Sequence, residues 1–182
     1  MRSSTAVKGL IITGLLLVIT LVFTFTTRLT TPASWIKYEH PYGSFNYPDN
    51  WQVTKRYLNS EEIPLHVELK DPVSGAYGFV QLWQVEGGIE TIVQPPPVNN
   101  PGFSDIKISK TVLAHRNIYL LNYTLKSETI RQAKEILFQQ GPLTYRLMLS
   151  SQNWTPEVDQ NFMKIGKSLQ LTGHSADPMA NK

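Results

Sequence analysis

The chain contains no cysteine. That excludes disulfides, thiolate metal sites, a cysteine nucleophile and lipid attachment through an N-terminal cysteine. Histidine is scarce too. The four are His40, His66, His115 and His174, and no two stand three or four residues apart, so no helix offers a pair of imidazole ligands. Serines such as Ser44, Ser74 and Ser150 lie outside any Gly-x-Ser-x-Gly elbow. Gly87-Gly88 is followed by neither a lysine nor a helix start, so it is not a phosphate loop. Glu61-Glu62 reads as a solvated loop pair beside Pro64. Nothing calls for a cofactor or a metal. The one convergence to test is Glu39 and His40 with Asp49, which would meet if the first two strands pair.

Surplus charge is also missing from most of the chain. The net charge is +3, but Arg2, Lys8 and Arg28 supply three of the 17 basic residues, leaving 14 basic against 14 acidic beyond residue 28. No lysine/arginine block is interleaved with aromatics, so nucleic acid is not an expected partner.

Long apolar runs are absent with one exception. Residues 9–27, GLIITGLLLVITLVFTFTT, carry no charge. At 1.5 Å per residue such a helix is about 28 Å long, just enough for a hydrocarbon core of about 30 Å. Its threonines can bond back to helix carbonyls. The expectation is a signal anchor: a cytoplasmic tail at 1–8, a transmembrane helix at 9–27, a polar linker at 28–34, a globular domain at 35–172 and a disordered tail at 173–182. Arg2, Lys8 and the α-amino group favour the N-in, C-out orientation, with the lipid bilayer as one partner and the domain extracytoplasmic. The alternative is a secreted protein released by signal cleavage, although the run is longer than a typical secretory core and the only small-x-small site, Thr31-Pro32-Ala33, contains a proline. A disulfide-free domain outside the cytoplasm is ordinary in bacteria.

The soluble part is rich in strand signals. Residues 35–40, 42–47, 51–57, 65–69 and 77–85 alternate or run apolar, punctuated by Pro48-Asp49-Asn50 and Asp71-Pro72-Val73-Ser74-Gly75. Ile106–Leu113 and Asn117–Leu125 form a hairpin around 114–116. Residues 131–140 suit a helix or a strand. Leu143–Ser150 alternates again. Between them, 86–102 is a long loop broken by Gly87-Gly88, Pro95-Pro96-Pro97 and Asn99-Asn100-Pro101-Gly102, with room for a short helix at Ile89–Val93. It is the candidate binding loop. The last element is the clearest helix, with Thr155 as N-cap, Pro156 at N1, and Val158, Phe162, Ile165 and Leu169 on one face. Trp154 is placed to staple that helix start to the sheet.

Two segments carry a resemblance. Phe45-Asn46-Tyr47-Pro48-Asp49-Asn50-Trp51 resembles the aromatic-x-Tyr-Pro-x-x-Trp opening of the PsbP-like (Mog1/PsbP/DUF1795) family. Leu143 through Leu149, a short turn, and the helix to Ser168-Leu169 resemble its ending, with Leu169 where phenylalanine is usual. The strands in antiparallel hairpins and the terminal helix, whose apolar stripe must cover one face of the sheet, already read as an α+β sandwich; the resemblance implies an antiparallel sheet flanked by helices on both faces, an α/β/α sandwich, with 131–140 a strand. It also implies a mostly non-catalytic member of the uncharacterised bacterial membrane-anchored branch. The functional expectation is a membrane-tethered, extracytoplasmic, non-catalytic binding or accessory domain that contacts another envelope protein. The alternative is a small cell-envelope hydrolase with a cleft not visible in sequence.

Overall fold

A computed structural model describes residues 34–84, 88–93 and 102–171. The expected tail 1–8, transmembrane helix 9–27, most of the linker and the C-terminal tail 173–182 lie outside the described residues. Among the described residues no helix is long and apolar enough to cross a membrane.

Two antiparallel sheets make up most of the described chain. Seven strands, β3 (Gln52–Arg56), β4 (Leu65–Lys70), β5 (Tyr77–Gln84), β6 (Phe103–Leu113), β7 (Arg116–Lys126), β8 (Ile130–Gln140) and β9 (Leu143–Ser151), stack in the order β3-β4-β5-β9-β8-β7-β6. The second sheet has three, β1 (Trp35–His40), β2 (Gly43–Pro48) and the two-residue β10 (Gln170–Leu171), with β2 in the middle. Among the described residues helix α2 (Pro156–Ser168) is the one helix of ordinary length, and α1 (Ile89–Ile92) is a single turn.

This corrects the expected α+β sandwich with helices on both sides. The fold is mostly β, in two sheets, with a regular helix on one face. The composition of 86–102 explains the difference. Between Gly88 and the three prolines only six residues remain, Ile89 to Gln94, too few for more than about one turn, since short helices do not repay their nucleation cost. The first two strands also leave the main sheet. The turn after Pro48, closed by the Trp51 amide donating to the Pro48 carbonyl at 3.0 Å, redirects the chain so that β1 and β2 join α2 in a covering layer.

Period-two alternation builds the main core. Leu65, Val67 and Leu69 of β4, Val80 and Leu82 of β5, Leu147 and Leu149 of β9 and Ile136 of β8 are all sealed from solvent on one face. Phe45, Trp51, Phe162, Ile165 and Leu169 cover them. Helix α2 forms where expected: the Thr155 hydroxyl accepts from the Val158 amide at 3.2 Å, with Pro156 at the helix start. Its backbone comes so close to the sheet that a Cβ on Gly166 would lie 2.5 Å from Ile136 Cδ1. Trp154 stacks edge-on to Phe162 with centroids 5.9 Å apart and donates to Asp159 at 3.0 Å, while Lys134 pairs with Asp159 and lies over the Trp154 ring. The staple expected at Trp154 is therefore present.

Two long-range ties hold the layers in register. Tyr145 donates to the carbonyls of Tyr42 at 3.1 Å and Gln170 at 3.2 Å. Only glycine fits at position 43 beside it, because a Cβ there would fall 1.8 Å from the Tyr145 hydroxyl. Arg116, at the start of β7, reaches the C-terminal end of α2 and donates to the carbonyls of Leu169, Gly166 and Lys167. Its guanidinium also sits 4.5 Å from the Phe138 ring centroid. The helix end thus gains partners for orphan carbonyls and a cation at its negative pole. Residues 131–140 are strand β8, as the resemblance implied, paired on both sides.

Candidate functional site

The alternation that buries one face of β4, β5, β9, β8 and β7 turns a second set of residues to the other face. Register places His66 beside Gln81, Gln81 beside Arg146, and Arg146 beside Leu137, one step from Glu135. These side chains form one connected network across five strands. Gln81 donates from Nε2 to His66 Nδ1 at 2.7 Å, and its Oε1 accepts from Trp83 Nε1 at 2.9 Å. That arrangement requires a lone pair on His66 Nδ1, hence a neutral ring protonated at Nε2. Arg146 pairs with Glu135, whose other oxygen accepts from the Tyr123 hydroxyl at 3.2 Å. The guanidinium lies 5.2 Å from the Phe79 ring centroid and 5.6 Å from that of Trp83. His66 in turn tilts against Phe79 at 5.4 Å.

Burial sets the electrostatics. Glu135 is 3% exposed, so its charge depends on Arg146 and Tyr123 instead of water. Burial pushes the Tyr123 phenol well above its ordinary range, with the Glu135 charge adding to the shift. Burial likewise depresses the His66 imidazole, against the opposing pull of Glu68. On the rim, Arg56 pairs with Glu68 at 3.1 Å. Phe79, Trp83, Arg146 and Met148 are half-buried and Tyr77 is exposed. The result is a row of three aromatics along β5, flanked by an arginine and a methionine from β9. α1 packs on the β7–β8 side of the same face, where Ile89 and Val93 meet Leu121, Tyr123 and Leu137.

The residues singled out in sequence fare differently. β1 and β2 do pair, but Glu39 and His40 stand at the turn end of that hairpin and Asp49 beyond its open end. Five strand steps, about 17 Å, separate them. Asp49 accepts from the Ser34 hydroxyl, Glu39 pairs with Lys37 at 2.6 Å, and Lys55 Nζ lies 3.1 Å from His40 Nε2. Burial and Lys55 lower the His40 pKa, and Lys37 lowers that of Glu39. Glu39 and His40 border a shallow cavity of about 440 Å³ with Ser44 and Gln170. Ser74 donates to Asp71 at 2.5 Å and Ser150 to the Tyr77 carbonyl at 3.0 Å. Glu61 and Glu62 are exposed, as expected. Among the described residues no three His, Asp or Glu side chains gather as metal ligands. Of the loop 86–102, residues 88–93 and 102 are described; the triple proline lies outside them. A second cavity, about 480 Å³, opens between α1 and the tip of the β6–β7 hairpin.

Sequence reasoning missed the network on the second face. Its members come from five strands, and apart from Gln81 and Trp83, neighbours on one face of β5, only register brings them together. One signal was present: Glu135 and Arg146 occupy alternating positions of strands whose neighbours are apolar.

No family model matches the chain, and no curated protein matches its sequence. Solved structures do. Cyanobacterial PsbP (CyanoP) from Synechocystis sp. PCC 6803 superposes with a TM-score of 0.56 at 13% identity, covering 79% of this chain and 95% of that one. A protein of Bacteroides thetaiotaomicron VPI-5482 superposes with a TM-score of 0.55 at 11% identity, covering 76% of this chain. The present chain spans only 48% of that protein's length. LpqN of Mycobacterium tuberculosis, described as involved in cell envelope biogenesis, overlaps over 79% of this chain and 87% of its own at 16% identity, with a TM-score of 0.39. The domain therefore has a PsbP-like fold, in agreement with the motifs at 45–51 and 143–169. At these identities the likeness defines the fold and not the role.

Proposed function

We propose that the protein is a non-catalytic binding or accessory module of a bacterial cell envelope. The apolar segment 9–27 tethers it to the membrane, and the domain meets a protein partner outside the cytoplasm. The observation that carries this reading is the row of Tyr77, Phe79 and Trp83 with Arg146 and Met148 beside it. Aromatic residues, arginine and methionine are the types enriched where proteins bind one another. Here they are held rigid by the hydrogen bonds and the ion pair beneath them, so little side-chain entropy is lost on docking. The uncharged run at 9–27 and its flanking Arg2 and Lys8 support the tether and the orientation.

The test is site-specific photo-crosslinking in intact cells. Benzoylphenylalanine at position 83, or at 77, should give a discrete adduct with an envelope protein. The same probe at the exposed Tyr57, beyond the end of β3, should not. Equal labelling from all three positions, or no adduct from 77 and 83, defeats the reading. A C-terminal tag that stays in the membrane fraction and is cleaved by protease added to spheroplasts checks the location. A protease-resistant tag contradicts it.

A further inference from the structure

We infer that the outer edge of β6 is a strand-addition site for an extended, acidic segment of a partner protein. The site is separate from the β5 row and goes beyond the reading above. The main sheet ends in two unlike edges. β3 is five residues long and carries Lys55 and Arg56, the usual way of blunting an edge. β6 is eleven residues long, and among the described residues no strand lies beyond it. Its first part is interrupted by a register shift between Ser104 and Lys107, with Asp105 at φ 56. From Lys107 to Leu113 the ladder is regular and almost wholly exposed.

The hairpin fixes which backbone groups face outward. Ala114 and His115 form a two-residue turn with φ of 48 and 65, so Leu113 and Arg116 are its hydrogen-bonded closing pair. Alternation from there leaves the N–H and C=O of Val112, Lys110 and Ile108 pointing away from β7. Their side chains lie on the face that carries Tyr119 and Leu121. Val112 is 64% exposed and Ile108 37%. The 480 Å³ cavity opens on the same side, lined by the apolar Val112, Ile118 and Ile89 with Tyr119, and also by Lys110, Glu90 and Gln139. Strand addition uses this combination: ladder bonds supply affinity and a pocket beside alternate positions supplies selectivity.

Charge selects the occupant. The regular half of β6 carries Lys107 and Lys110 and no acid. Among the described residues neither lysine is within ion-pair distance of a carboxylate: Lys110 lies over the Tyr119 ring at 4.8 Å and is attracted by Glu90 only at longer range, as Lys107 is by Asp105. A second copy of β6 would set two such basic strands side by side. A partner segment with an apolar residue for the cavity and a carboxylate two residues away, for Lys110, complements the edge instead.

The probe is a phage-displayed random dodecapeptide library, panned on the full-length chain in detergent micelles. The expected winners pair an apolar and an acidic residue two positions apart. Affinity of the synthetic winner, read by fluorescence anisotropy, should fall at least tenfold in Lys110→Pro, which deletes an outward donor where an edge strand tolerates proline. Lys110→Glu should weaken it similarly without touching the backbone. N-methylation along the peptide should abolish binding at every second position, a readout that needs no variant of the protein. The proposal is overturned if no peptide is enriched, or if affinity is indifferent to both Lys110 variants and to N-methylation. It is also overturned if the chain dimerises and Lys110→Pro dissolves the dimer, since the occupant is then a second copy. Peptides lost with Trp83→Ala but not with Lys110→Pro overturn the edge while leaving the β5 row standing.

Discussion

Glu135 and Arg146 should be worth more together than apart. Arg146→Met leaves a carboxylate that is 3% exposed with the Tyr123 hydroxyl as its remaining partner. Removing one member of a buried pair costs about 3–5 kcal/mol. The arginine side chain is itself 27% exposed, so water reaches the vacated position and the lower end, about 3 kcal/mol, applies. Glu135→Gln keeps an acceptor for Tyr123 and leaves Arg146 over two aromatic rings, so it should cost about 2 kcal/mol. The double variant loses both charges and strands neither, at about 2 kcal/mol. The coupling is then roughly 3 kcal/mol, the upper end for contacting residues. Urea unfolding followed by tryptophan fluorescence measures all four proteins, with equal slopes required for the comparison. If Arg146→Met costs under about 1 kcal/mol, or the two substitutions add, the pair is not buried structure and the rigidity ascribed to the β5 row fails.

Other outcomes are equally specific. Arg116→Ala should destabilise by about 2 kcal/mol through loss of charge-assisted bonds to the α2 end, and Arg116→Lys should recover less than half, because a single ammonium cannot reproduce the fork; thermal melts decide. His115→Gly should stabilise by about 1 kcal/mol, since glycine takes the φ of 65 without penalty. His66 is neutral in the fold and its pKa is depressed, so its contribution is present above about pH 6.5 and is lost as pH falls through that value and the lower folded one. His66→Gln should flatten the slope of stability between pH 7 and pH 5, leaving the share from His40, whose pKa burial also lowers. Residues 34–172 alone should give a folded monomer by circular dichroism and gel filtration; an aggregate would contradict the domain boundaries.

What the sequence disclosed was what local chemistry determines. Thr155 and Pro156 start a helix wherever they precede an apolar stripe, and Val158, Phe162, Ile165 and Leu169 face the core as their spacing requires. The 106–125 hairpin and the Pro48–Trp51 turn were legible for the same reason. Strand β8 was not. Ile130, Lys134 and Leu137 fit a helical period, and only pairing with β7 and β9 makes 131–140 extended. The helical share was overestimated because the family resemblance supplied a second helical layer, where the described part of 86–102 holds the single turn Ile89–Ile92. Apart from Trp83 and Gln81, the second-face network and the Arg116 tie depend on partners 11 to 53 residues away. No local pattern announces such distances.

The small sheet has a consequence for the order of synthesis. β2 is flanked by β1, made at the beginning of the domain, and by β10, made at its end. Ser168, just before β10, exchanges hydrogen bonds with Asn46 across 122 residues. Closing a loop of that length costs about 4 kcal/mol of chain entropy. On the ribosome, β2 must therefore wait with one edge open until the final strand emerges from the exit tunnel. A stop codon before residue 170 would leave the first hairpin, and the Tyr145 anchor beneath it, without a closing partner. Quality control would then meet a chain whose main sheet has formed and whose N-terminal layer has nothing to clasp.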